Sequence, residues 1–124
     1  MFTVTLNQPE NSLTISYRGR VTLDETRLCE EEVKLALTIL EPDFRLIVDL
    51  TSLESMDLSC SPCLGSIMER CNAAGVAEVL RIIPDPTRDI GLQILSSFHY
   101  GNDVYVHTCG SLAEANELLE KRPV

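Results

Sequence analysis

Phe44–Leu50 reads FRLIVDL. A strand so dense in apolar residues belongs inside a sheet covered on both faces. The neighbouring segments must supply the covers. Ahead of it, Cys29, Val33, Ala36, Leu37 and Leu40 fall at helical spacing within a segment from about Asp24 to Leu40. Thr22 or Asp24 suits its N-cap, Glu25 its first turn, and Pro42 ends it. Behind it, a second helix is expected from about Cys60 to Ala74, with Gly75 as its stop. Val79–Ile83 reads as another strand, and Pro84-Asp-Pro86 as a loop. A third helix follows over about Thr87–Ser97, with Ile90, Ile94, Leu95 and Phe98 inward. Asp103–His107 alternates as a short strand. Ser111 caps a last helix with the stripe Leu112, Ala115, Leu118 and Leu119.

The N-terminal segments Phe2–Leu6 and Leu13–Tyr17 alternate with period 2, around the turn-rich Gln8–Ser12. They predict a β-hairpin whose second strand continues to about Val21. The order is therefore ββαβαβαβα. Strict alternation after the hairpin means a mixed, mostly parallel sheet with crossover helices. The expected fold class is α/β, a single domain over residues 1–124, with four helices packed mainly on one side.

A net charge of −9 and an aromatic content of 5% argue against nucleic acid, which needs a basic stripe or stacking platforms. No apolar run approaches the roughly 20 residues of a membrane helix. The start, MFTVTLNQPENS, has no basic or apolar leader, so the expected location is cytoplasmic. With no secretion signal, the five cysteines are expected as free thiols.

The segment Asp57-Leu58-Ser59-Cys60-Ser61-Pro62-Cys63 brings a helix start beside serines. Unpaired backbone N–H groups and the helix dipole suit such a place to a phosphate. With Ser59 as N-cap, Pro62 removes a donor from the first turn. With Ser61 as N-cap, Pro62 takes the first helical position, which proline prefers. The backbone argument therefore favours Ser61 as the cap, leaving Ser59 just outside the helix.

Cys60-x-x-Cys63 opens a rival reading as a thiol–disulfide oxidoreductase, since a helix N-terminus lowers a thiol pKa. Against it, Cys60, Cys63, Leu64, Ile67, Met68 and Cys71 form one core-facing stripe. Asp49, Glu54 and Asp57 cluster around one strand end, but no glycine run accompanies them. No second CxxC or HxxxH completes a zinc site. His99 and His107 read as surface or loop residues. Neither metal nor cofactor is expected, and no catalytic constellation is visible.

Several features together resemble the STAS domain of bacterial anti-sigma factor antagonists. They are the element order, FRLIVDL, Met56-Asp57-Leu58-Ser59 before a helix ending at Gly75, VLRIIPDP, and the closing CGSLAEANELL. The family motif D-S-S-G-L-G matches Asp57 through Pro62 without a gap. Ser59 then takes the phosphoacceptor position, with Asp57, Leu58 and Ser61 as its neighbours and docking surface. Leu58 replaces the first serine, Cys60 the glycine, and Ser61-Pro62 the Leu-Gly. Gly19-Arg20-Val21-Thr22 stands where the family often has G-E-L-D. The resemblance implies a STAS-like fold and a non-enzymatic regulatory module. It also implies a serine kinase that doubles as anti-sigma factor, and a serine phosphatase that resets the switch. The alternatives are the redox enzyme, or a degenerate STAS domain serving as a docking or homo-oligomerisation unit without phosphorylation.

Overall fold

The computed structural model describes residues 1–83, 100, 101 and 103–120. Among them lie five strands in one sheet, in the order β1-β2-β3-β4-β5, and three α-helices. The strands are β1 (Phe2–Asn7), β2 (Ser12–Val21), β3 (Arg45–Met56), β4 (Glu78–Ile82) and β5 (Tyr105–Cys109). The helices are α1 (Leu23–Leu37), α2 (Ser61–Ala73) and α3 (Leu112–Glu120). β1 pairs antiparallel with β2, from Phe2 opposite Tyr17 to Asn7 opposite Ser12. All other pairs are parallel. The fold is α/β and STAS-like.

Crossovers of one hand, moving one way across the sheet, place α1 and α2 on the same face. That face holds the larger core: Leu13, Ile15, Tyr17, Leu46 and Val79 from the strands meet Cys29, Val33, Ile67, Met68 and Cys71 from the helices. The opposite face of β4 and β5 carries Leu80, Ile82 and Cys109, packed with Ala115 of α3 and Ile47. Of the three described helices, two share the larger face and α3 covers the other, in line with packing mainly on one side. FRLIVDL is the reason: Leu46 points to one core and Ile47 to the other, so each side of β3 needs a cover. The helix expected over Thr87–Ser97 lies outside the described residues.

α1 begins at the capping box that Thr22 and Glu25 form: Glu25 N donates to Thr22 Oγ1, and Thr22 N to Glu25 Oε1, both at 3.4 Å. Ser111 caps α3, its Oγ accepting from Glu114 N at 3.2 Å. Gly75 closes α2 at φ +94°, and an added Cβ there would lie 3.1 Å from Pro42 Cβ. β5 is shifted two residues from the expected Asp103–His107.

Candidate functional site

β4 accompanies β3 only from Arg45 to Asp49. Beyond that point β3 continues to Met56 with β2 as its one partner among the described residues, across two register shifts, opposite Ser16–Arg18 and Gly19–Arg20, at each of which β3 carries an extra residue. The strand expected over Phe44–Leu50 thus runs six residues further, to Met56. Its amides pair with the far end of β2, and Asp57 N donates to Val21 O at 3.2 Å. Gly19 takes φ +64° in this stretch.

At Asp57 the chain is still extended, with φ −63° and ψ 140°. It then enters a 3-10 turn, Leu58–Cys60, closed by Cys60 N to Asp57 O at 2.9 Å, and α2 follows directly. Ser61 is the first residue of α2 and Pro62 the second, with Cys60 at the N-cap and no side-chain cap bond. This corrects the expectation that Ser61 caps the helix. The extra turn starts helical winding three residues earlier and draws Ser61 inside it.

The site residues come together at this bend. Ser59 is exposed, and Leu58 beside it is 91% exposed. Asp57 and Ser61 are half-buried. Cys60 turns inward, with its thiol 3.9 Å from Val21 O. Ser59 and Leu58 thus face solvent because the apolar stripe of α2 anchors Cys60 in the core one residue later.

Two contributors were not evident from sequence. Arg20, at the end of β2, reaches across to Asp57, Nη2 to Oδ1 at 3.3 Å. The signal was the position of Gly19-Arg20-Val21-Thr22 at a strand end parallel to β3. Glu30 of α1 accepts a short hydrogen bond from Ser66 and one from Arg70 Nε at 2.7 Å, with Cys63 Sγ at 3.6 Å. Burial raises the Glu30 carboxyl, but the bonds from Ser66 and Arg70 outweigh it and hold its pKa below the ordinary value. This joint fixes α2 against α1.

The cysteines lie in the core. All five cysteines are free and buried. Burial pushes the Cys63 thiol up and carries Cys71 to about 12. A redox nucleophile needs the opposite shift, so the CxxC spacing here serves the core stripe.

Asp49 is engaged locally, accepting from Thr51 N at 3.0 Å and Thr51 Oγ1 at 2.7 Å. Among the described residues, no three His, Cys, Asp or Glu side chains gather as a metal site. His107 proves to be a strand residue. It stacks on Tyr105 and lies 3.8 Å from the buried Glu78, which also pairs with Arg45 at 3.2 Å. His99 lies outside the described residues. No described helix is long and apolar enough to cross a membrane.

No family model matches the sequence, and no curated protein matches it. Solved structures do. An uncharacterised DUF3478-family protein with a SpoIIAA-like fold, from Shewanella loihica PV-4, aligns with a TM-score of 0.72 at 14% identity, over 96% of this chain and 92% of that one. The anti-sigma factor antagonist SpoIIAA in its unphosphorylated form aligns at 0.68 and 16%, over 98% of this chain and 100% of that one. The Bacillus cell fate determinant SpoIIAA in its phosphorylated form aligns at 0.66 and 15%, over 96% and 99%.

Proposed function

We propose that this STAS-like chain is a regulatory protein-binding module, switched by phosphorylation of Ser59. The observation that carries the reading is the placement of Ser59. It is an exposed hydroxyl on the turn that opens α2, flanked by the outward Leu58 and the Arg20–Asp57 pair. Leu58 offers a partner an apolar contact with almost its whole side chain. A phosphoryl group adds about −1.5 to −2 charges beside it. That charge sits two residues from the Asp57 carboxylate and competes for the Arg20 guanidinium, so it changes both shape and sign of the surface. The first N–H groups of the turn have no intrahelical acceptor and can receive the phosphate oxygens.

The partner that fits the fold is a serine kinase acting as an anti-sigma factor, with a serine phosphatase returning the module to its binding form. Basic groups on that partner would complement the chain's net charge of −9. No catalytic role is assigned to the chain itself.

The test is to recover the kinase by pull-down, incubate it with the chain and ATP, and map the product by mass spectrometry. Modification is expected on Ser59. Ser59→Asp should lose the partner while Ser59→Ala keeps it. Phosphate on Ser61 instead would shift the register by two residues. Equal binding by both variants would assign the regulated surface elsewhere. Absent modification with intact binding would favour the second reading, a constitutive docking domain.

A further inference from the structure

β1 is an edge strand. β2 pairs with one side of it, and no described residue pairs with the other. Its register shows which backbone groups lie on the open side. Met1 and Arg18 exchange both backbone bonds, Met1 N to Arg18 O at 3.0 Å and Arg18 N to Met1 O at 2.7 Å. Bonded and non-bonded pairs alternate along an antiparallel ladder. Thr3, Thr5 and Asn7 therefore bond to β2, while the N–H and C=O groups of Phe2, Val4 and Leu6 point outward. Natural edges are usually guarded by lysine, proline or a bulge. β1 reads FTVTLN, with no charge and no proline, and it meets β2 without a register shift.

An apolar stripe lies over the same edge. Leu28 is 60% exposed and Leu35 70%, both on α1, and Ile39 just past its end is 49% exposed. Their spacing of seven and four residues puts them on one side of the helix. That side faces away from α2, which α1 meets through Glu30, Lys34 and Leu37. Glu25, also on the outer side, pairs with the Met1 ammonium at the head of β1. The stripe therefore overhangs the open edge.

We propose that this flank is a homodimer interface: β1 pairs antiparallel with β1 of a second copy, and the two α1 stripes meet above the joined sheets. The two halves share one two-fold axis. Counting from the Met1–Glu25 contact, Val4, where the axis crosses β1, lies about 10 Å along the strand at about 3.3 Å per residue. The same distance along α1, at about 1.5 Å per residue, reaches Glu31–Glu32. That is within about 3 Å of the midpoint of the Leu28–Leu35–Ile39 stripe, at Val33–Lys34. α1 rests over β1 and β2, so the two copies of α1 would stand about two strand spacings apart, roughly 9.5 Å, which is helix-packing distance.

A second copy is the occupant because each half of the flank is self-complementary under that axis. Val4 would exchange both bonds with its mate, Phe2 with Leu6, and Thr3 would face Thr5. The strip is about 20 Å long and about 15 Å deep. With surface corrugation it removes roughly 1,000 Å² in all, near the lower limit for a specific interface. The exposed Glu32 on the same side adds a like-charge cost, so the dimer is a weak one. The flank is separate from the Ser59 surface, and this inference stands without the phosphorylation reading.

Sedimentation equilibrium on the full chain, from about 10 µM to about 1 mM, should show a mass rising from 13.8 kDa toward twice that value. Leu28→Lys with Leu35→Lys should weaken association at least tenfold. Both side chains are exposed, so the unfolding midpoint should not move. Hydrogen exchange at the amides of Phe2, Val4 and Leu6 should slow as concentration rises, while Thr3 and Thr5 stay protected throughout. A monomer at every concentration overturns the proposal and leaves the edge to a strand from another protein. A dimer indifferent to both lysines, or one in which Val4 exchange ignores concentration, overturns it as well.

Discussion

Cys71 has no exposed surface, and burial carries its thiol from 9.0 to about 12; Cys29, beside the Tyr17 hydroxyl at 3.4 Å, is carried to about 11. The folded chain holds these protons above the pH at which the unfolded chain releases them. Their contribution to stability is complete below about pH 9 and is lost as pH rises through the folded values. Urea midpoints measured between pH 7 and pH 11 should fall across that alkaline window, and Cys71→Ala should flatten the fall while lowering the plateau. Unchanged slope in the variant would count against burial as the cause. Glu30 makes the opposite case, a carboxylate held charged by Ser66 and Arg70. Glu30→Ala leaves both donors without their acceptor and should cost about 1.5–3 kcal/mol in urea unfolding. At this scale the sequence was legible where periodicity spoke. The stripe from Cys60 to Cys71 reads as core, and its positions are buried except Leu64, which is half-buried against the core. Arg20 and Glu30 were not legible, because each acts across a gap in sequence that only the sheet and the helix pair close.

Among the elements, α1 was the easiest to read, from its helical stripe and from Glu25 in its first turn, and the structure decides between Thr22 and Asp24 in favour of Thr22 as cap. Thr22→Ala removes the cap acceptor and should lower the thermal midpoint by the equivalent of about 1 kcal/mol. Ser is expected to restore most of it; an unchanged midpoint in the alanine variant would show that Glu25 and the Met1 ammonium hold the turn unaided. β3 was the hardest. Its first half announced itself by apolar density, but Thr51–Met56 has one strand partner among the described residues and stays largely at the surface. A strand with one partner and little burial leaves no hydrophobic pattern, so turn-like composition prevailed. The start of α2 was misread for a related reason. Proline's preference for the first helical position was applied to the α-helix alone, whereas the preceding 3-10 turn supplies the first turn of winding and moves proline inward.

For the whole molecule, alternation after an N-terminal hairpin was enough to yield a mostly parallel sheet. It was not enough to distribute the helices. That depends on which face of FRLIVDL each neighbour covers, and the composition of α3 does not declare its side. The bend at Ser59 was legible in outline for a simple reason: strand, acid, hydroxyl and helix follow one another within a few residues. The two-stranded extension beneath it has a further consequence. Among the described residues, β2 and β3 outrun β4 after Asp49, so the bend stands on a two-stranded arm. Cooperative unfolding of the full domain is not required to release it; the arm can open as its own unit, at a fraction of the global free energy. Amide exchange should therefore separate into two classes, with Leu53–Met56 and Arg18–Val21 trading protons well before Leu46–Val48. On the proposed reading, a kinase could draw Ser59 into its own active site by opening this arm alone.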